Sequence, residues 1–436
     1  MNRVGYRARL LSVPLDPVGE SAAAIRHEAD GLLVVEEGRV VARGHYAELA
    51  ARFAGTEMVD LAGRIIVPGF VDTHVHYPQV DRIAAHGAQL LEWLETHIFP
   101  AELCFADKVH ADEAAAFFLT ELLRNGTTSA LVFPTVHATS VDALFEAAER
   151  RGMRIVSGKV LMDLGPQGLR DTPERARAES EALIARWHGR GRLGYAVTPR
   201  FALTSSDAQL QVAGELLVAH PDVLLHTHLS ENSSEIAAVT QRFVTARDYL
   251  DVYDRFGLVG ERSVFAHGVH LSGRECGRLA QAGAAVALCP TSNLFLGSGL
   301  FDLARLSEAG VRTALGTDVG AGTSLSLLAT QGSAYQVCQL RGASLDPFRA
   351  LHLATAGGAA ALRIGDEVGA LAEGQEADFV VLDPAATPLL ARRTAGASLA
   401  ETLFALQVLG DDRAIEATYV AGRLAHHRNA SWTVPA

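Results

Sequence analysis

His74 and His76 stand one residue apart at the end of an apolar run, Ile65 to Val71. On a strand, alternate side chains share a face, so the two imidazoles lie ~6–7 Å apart and can reach one metal ion together. An isolated His-x-His is more commonly just two polar residues on a half-exposed strand. This chain repeats the pattern. A second apolar run from Val223 ends in His226-Thr227-His228, with Glu231 three residues further on. Phe265-Ala266-His267-Gly268 and Gly316-Thr317-Asp318 close two more such runs. Imidazoles and carboxylates are the donors of catalytic metal sites and the carriers of protons in acid–base chemistry. Four runs ending in these residue types favour one metal site over four unrelated polar positions.

Residues so far apart need a scaffold that collects strand ends. From residue 65 onward apolar runs alternate with Ala/Leu/Glu-rich helical stretches, the pattern of a parallel sheet with helical crossovers. Eight runs stand out: Ile65–His74, Thr127–Phe133, Arg154–Leu161, Gly194–Pro199, Val223–His228, Ser263–His267, Ala284–Cys289 and Arg312–Gly316. Eight strand–helix units over about 300 residues predict a (β/α)8 TIM-type barrel, whose catalytic groups sit at the C-terminal strand ends. A doubly wound open sheet is the alternative, but no Gly-x-Gly-x-x-Gly follows the first strand. Before the barrel, Arg7–Val13, Leu32–Val35, Arg39–Ala42 and Met58–Leu61 read as short strands. After a helix over Asp346–Leu362, Gly365–Leu382 and Thr418–Leu424 again read as strands. The expectation is a barrel over residues 67–368 and a composite β-sandwich domain from 1–66 plus 369–436.

Composition narrows the function classes. Of 436 residues 49% are hydrophobic and 20% charged, as in an ordinary globular protein. A formal charge of −12 offers no basic patch for nucleic acid. No apolar run approaches the ~18 residues needed to cross a bilayer, so no membrane partner is expected. Arg3, Arg7 and Arg9 are followed by a run broken at Pro14, Asp16 and Pro17, which argues against a signal peptide. The cysteines Cys104, Cys276, Cys289 and Cys338 are widely spaced, which suits a reducing cytoplasm and neither a disulfide frame nor a thiolate zinc site.

Taken together, Asp72-Thr73-His74-Val75-His76, His228, His267 and Asp318 resemble the metal-dependent amidohydrolase superfamily. Within it the chain is similar to the guanine deaminases, and the likeness covers nearly its whole length. The more specific stretches are Leu90-Leu91-Glu92-Trp93-Leu94, Phe99-Pro100-Ala101-Glu102, Asn125-Gly126-Thr127-Thr128 and Gly158-Lys159-Val160-Leu161-Met162-Asp163. They continue in Val197-Thr198-Pro199-Arg200-Phe201, His228-Leu229-Ser230-Glu231-Asn232, Cys289-Pro290-Thr291-Ser292-Asn293-Leu294 and Leu409-Gly410-Asp411-Asp412-Arg413.

The resemblance implies His74, His76, His228 and Asp318 as ligands of one divalent ion, zinc first, with a position left open for water. The fourth strand, Gly194–Pro199, holds no lysine to bridge a second ion; Lys159 belongs to the third. His226 shares a face with His228 one layer deeper and reads as a buried, hydrogen-bonded support for the ligands. Asp318 would move the water proton to the departing amine, Glu231 would protonate the adjacent ring nitrogen, and His267 would polarise the attacking oxygen. Arg200 and Phe201 are the implied ring clamp, with His76 and His228 beside the ring, Gln79 reading an amide-like edge, and Leu90 and Trp93 as walls. The plainer alternatives are a surface ion pair for Arg200, core packing for Trp93 and loop support for Asn293. Two departures stand out. Leu288 occupies a position where some relatives carry histidine, and Tyr77-Pro78 varies in the family. The implied activity is hydrolysis of guanine to xanthine and ammonia in purine catabolism, by a cytoplasmic homodimer. The rivals are deamination of 8-oxoguanine, a pterin, cytosine or an adenosine derivative, and a non-catalytic assembly protein on the same fold.

Overall fold

The structure, a computed structural model, describes residues 3–17, 22–87 and 89–430. Its strands in chain order are β1 Val4–Ser12, β2 Arg26–Glu36, β3 Arg39–His45, β4 Glu57–Pro68, β5 Phe70–His76, β6 Thr127–Phe133, β7 Arg154–Ser157 and β8 Val160–Leu161. They continue as β9 Gly194–Pro199, β10 Leu224–Leu229, β11 Ser263–His267, β12 Ala285–Leu288, β13 Arg312–Leu315, β14 Phe379–Leu382, β15 Ile415–Val420 and β16 Arg423–His427.

β5, β6, β7, β9, β10, β11, β12 and β13 form a parallel sheet in that order, and β8 adds a short pairing to β9. The ring closes where β13 runs out: Asp318 N donates to His74 O at 2.9 Å, and His76 N donates to Val319 O at 2.7 Å. This is the expected (β/α)8 architecture. One small or branched side chain from each strand fills the barrel floor, Val71, Leu131, Val156, Ala196, Leu224, Val264, Ala285 and Ala314 among them. Their tight filling makes the barrel a packed core and leaves only its rim for chemistry. Helices such as Lys108–Arg124 and Ala138–Arg151 cover the outside, burying Phe118, Leu122, Leu144 and Phe145. No helix among the described residues is long and apolar enough to cross a membrane.

The remaining seven strands form one sheet, ordered β16-β15-β14-β4-β1-β2-β3. It curls until the β3 end meets the chain leading into β14, with Val40 N donating to Gln375 O at 2.9 Å and Ala377 N to Gly38 O at 2.8 Å. Leu33 and Val35 from one end then share a core with Phe379, Val381 and Ala417 from the other, so a single sheet supplies both layers of the sandwich.

Several boundaries differ from the sequence reading. The run Ile65–His74 is two strands that part at Gly69, one in each sheet. Gly69 N donates to Asp378 O in the composite sheet, while Phe70 N donates to Gly126 O in the barrel. A Cβ at residue 69 would collide with the side chain of Thr128, so the switch needs glycine there. Hydrophobicity is continuous across it because the end of β4, residues 65–68, and all of β5 are buried. Arg154–Leu161 likewise divides into β7 and β8, and Asp346–Leu362 into the helices Pro347–Leu353 and Ala356–Ala361. Within Gly365–Leu382 only β14 is a strand. The C-terminal stretch also holds two helices, Pro388–Thr394 and Leu399–Leu409, and the second packs on the helix Leu327–Leu340 through Gln407 and Gln331. A stretch expected to be all β thus carries helices, because Ala/Leu-rich segments gained a barrel surface to cover.

Candidate active site

His74 and His76 leave β5 on one face, as their spacing requires, and β10 delivers His228 beside them. His74 Nε2 lies 3.2 Å from His76 Nε2, which lies 3.2 Å from His228 Nε2. Asp318 Oδ1 is 3.1 Å from His74 Nε2 and 3.3 Å from His76 Nε2. The candidate ligand atoms of all four residues lie within 4.8 Å of one another. Burial pushes the His76 imidazole down to about 4 and holds His228 well below its ordinary value, so both rings are neutral at pH 7. Neutral ring nitrogens that face one another and a carboxylate oxygen cannot all be satisfied by protons. A shared divalent cation fits this donor set, and three imidazoles with one carboxylate leave it an open position.

Each ligand type is held from behind. His74 Nδ1 lies 2.7 Å from His226 Nε2, so His226 steadies the ring nitrogen opposite the cluster. His228 Nδ1 is 2.7 Å from Arg200 O. Asp72 accepts from His74 N at 3.2 Å, Thr317 N at 3.0 Å and Thr317 Oγ1 at 2.5 Å, tying β5 to the turn that carries Asp318. Lys159 is spent elsewhere, on Asp171 and on Val136 O at 2.7 Å, so it offers no bridging ligand. Ser230, His267 and Asp318 have φ of 49°, 73° and 51°, three left-handed residues gathered at the strand ends. Such strain persists where surrounding structure enforces it, and it clusters at functional sites.

Glu231 and Asp318 face the same space with opposite tendencies. Burial, then the neighbouring Asp318 and Glu235, hold the Glu231 carboxyl well above its ordinary value. Burial works the same way on Asp318, but His74 and His267 overcome it and hold Asp318 well below the carboxylate range. Two carboxyls driven apart in this way can serve as an acid and a base. His267 lies between them, its Nε2 3.4 Å from Glu231 Oε2 and 3.8 Å from Asp318 Oδ2. Asn293 Nδ2 donates to His267 Nδ1 at 3.0 Å, which leaves the ring proton on Nε2; burial lowers this imidazole to about 3. Asn293 therefore orients a site residue as well as shaping its loop.

A cavity opens on this cluster at the C-terminal strand ends. Every residue expected to bind the ring lines it: His76, Gln79, Leu90, Trp93, Arg200, Phe201 and His228. Of the metal and catalytic candidates, Glu231, His267 and Asp318 line it too, while His74 sits beneath at 0% exposure. Trp93 packs with Leu94, Phe201, Leu296 and Ala321 as an apolar wall, so core packing and pocket lining are one role here. Arg200 is not a surface residue; it is 2% exposed and paired with Glu102 at 2.7 Å. Gly320 N donates to Gln79 Oε1 at 3.3 Å, and a Cβ at residue 320 would fall 2.6 Å from Gln79 O. Leu288 is buried barrel packing with no polar role. Tyr77 donates to Ser140 O at 2.6 Å.

Sequence reasoning assigned no role to Glu102, Glu235 or Asp72. Glu235 carried a readable signal: Asn232 followed three residues later by glutamate is a capping box, and its carboxylate accepts from Glu231 N at 3.0 Å and Asn232 N at 3.1 Å. Glu102 and Asp72 lie in stretches that carry the family likeness, Phe99-Pro100-Ala101-Glu102 and Asp72-Thr73-His74-Val75-His76, but nothing there assigned either side chain a role.

The sequence model of the Amidohydrolase family matches residues 65–425. The guanine deaminase of Escherichia coli is 49% identical over 418 residues, covering 95% of each chain. Its solved structure superposes with a TM-score of 0.96 at 48% identity, over 98% of this chain and 100% of that one. A guanine deaminase from C. acetobutylicum, solved with guanine bound in its active site, gives a TM-score of 0.89 at 27% identity, over 97% and 100% of the two chains.

Proposed function

Because the chain belongs to the amidohydrolase family, we infer that it hydrolyses guanine to xanthine and ammonia. One observation carries the reading. A single small cavity is lined both by a guanidinium, an amide and a phenyl ring (Arg200, Gln79, Phe201) and by an acid, a base and an imidazole (Glu231, Asp318, His267).

His74, His76, His228 and Asp318 are the residues that would hold the metal. When bound, a divalent ion supplies the Lewis acidity that makes a water nucleophilic at neutral pH. The rest of the chemistry belongs to the side chains. Arg200 donates to the purine carbonyl, Phe201 covers the ring face and Gln79 meets the ring edge, so the amino-bearing carbon is set against the attacking water. Asp318 takes a proton from that water as its oxygen adds to the carbon. Glu231, kept neutral, gives its proton to the adjacent ring nitrogen that lacks one. His267 donates from Nε2 to the attacking oxygen. Asp318 then hands its proton to the amine, which leaves as ammonia. The new hydroxyl becomes the carbonyl, and its proton restores Glu231.

Zinc is the proposed ion, supported by the all-nitrogen-and-oxygen set with an open position. Elemental analysis of the purified protein decides between zinc and iron. We further propose a cytoplasmic homodimer acting in purine catabolism; sedimentation tests the dimer. The function itself is tested by ammonia release from a panel of aminated heterocycles supplied to the metal-loaded protein. Guanine is expected to give the highest kcat/KM. Turnover of another ring in the panel with none on guanine overturns the substrate and leaves the metal site standing.

A further inference from the structure

Glu102 belongs to neither the metal cluster nor the acid–base pair, yet its side chain, 1% exposed, is paired with a residue that lines the same cavity. It lies in the short helix Phe99–Leu103, on the long excursion that follows β5. Its two carboxylate oxygens accept from Arg200 Nη1 at 2.9 and 2.7 Å, and Oε1 also accepts from Gln79 Nε2 at 3.1 Å. Both partners line the cavity. The Arg200 guanidinium also lies over the Phe99 ring, 5.2 Å from its centroid, so one helix fixes it by charge and by face.

A buried carboxylate–guanidinium pair is a poor way to stabilise a fold, because desolvation offsets most of the attraction. What this pair does provide is orientation. Arg200 makes its hydrogen bonds to described residues through Nη1 alone, which leaves Nε and Nη2 free as donors at the cavity wall. Gln79 is held from both sides, with Nε2 against the carboxylate and Oε1 against Gly320 N–H. Turning the amide over would set oxygen against carboxylate and N–H against N–H. Its carbonyl is therefore engaged, and the polar group left for a ligand is the second Nε2 hydrogen.

We propose that Glu102 is a positioning residue that locks Arg200 and Gln79 into a donor-only edge, matched to a ring that presents acceptors there. This rests on the reading that these two side chains meet the purine. Guanine's carbonyl suits such an edge, whereas 2,6-diaminopurine, with an amino group in the carbonyl's place, sets donor against donor. Glu102 thus serves both affinity and the choice between these rings, acting through its two partners.

Glu102→Gln tests it, since the isostere can accept from one partner only by presenting its own amide hydrogens to the other. With wild-type metal content, the KM for guanine is expected to rise at least tenfold while kcat stays within threefold. The kcat/KM preference for guanine over 2,6-diaminopurine is expected to fall at least tenfold. KM and preference both within twofold of wild type overturn the proposal, as does a loss of kcat alone, which is the mark of a merely structural role. If that variant does not fold, Glu102→Asp keeps the charge and shortens the reach. It should raise KM three- to tenfold and lower the preference, and unchanged values overturn the proposal equally. Wild-type protein inactive on guanine would remove the underlying reading, whereas an active wild type beside an unaffected variant removes only the role of Glu102.

Discussion

His74 is gripped at both ring nitrogens, by His226 on one side and by the convergent ligand atoms on the other. The tautomer that offers Nε2 to a cation therefore depends on a residue that is not itself in the ligand set. His226→Ala is expected to lower metal affinity by about 10- to 100-fold without altering the ligand set, as measured by chelator competition. Glu231 gives the complementary case. Burial and Asp318 hold its carboxyl well above its ordinary value, and the proposed chemistry needs it protonated. Glu231→Gln should keep full metal content and lose about 10²–10⁴ in kcat, read from single-turnover ammonia release beside metal analysis. Retained turnover would remove Glu231 from the proton path.

Elements decide which residues the sequence can reveal. His74, His76, His228, His267 and Asp318 were legible because each ends an apolar run, and barrel geometry brings strand ends together whatever their separation in sequence. Glu102 stood in a family-like stretch, but its role was not legible, because it arrives on a helix within the excursion after β5, where no periodicity ties its position to a strand end. The split at Gly69 was hidden for another reason: the end of β4, residues 65–68, and all of β5 are buried, so the hydrophobic run does not break where the sheets do. The turn after β13 shows how an element sets a side chain. Gly320 lets the backbone pass close to Gln79, and Gly320→Ala should raise the KM for guanine about tenfold through the displaced amide. Steady-state kinetics with melting temperature as control checks it.

Across the molecule, the composite sheet is fastened to the barrel by charge. Glu376 accepts from Arg154 at 2.7 Å and from Arg192 at 2.9 Å, while Asp378 accepts from Arg192 at 2.7 Å. Burial opposes ionisation of Glu376, but Arg192 and Arg154 prevail and hold it below its ordinary value. A depressed carboxyl contributes stability above its unfolded pKa of ~4.3 and loses it as pH falls through the lower folded value. Glu376→Gln should therefore cost about 1–3 kcal/mol at pH 7, and wild type and variant should converge as pH falls through the depressed folded value, in urea unfolding at neutral and acid pH. Metal removal acts on the whole barrel, since the four candidate ligands come from β5, β10 and the turn after β13. A metal present at ~1,000 times its Kd adds about 4 kcal/mol, so chelation should lower the unfolding midpoint measurably in thermal scans.

Gly69 also sets a timetable. β4 lies between β1 and β14 in the composite sheet, and β14 is made about 310 residues after it. At ~5–20 residues per second, a ribosome leaves one edge of β4 open for ~15–60 s while the entire barrel emerges. An open strand edge is a template for wrong pairing, and this one leads directly into the strand that carries His74 and His76. The nascent chain must therefore keep its metal-bearing strand beside an unfinished sheet until Phe379–Leu382 arrives to seal it.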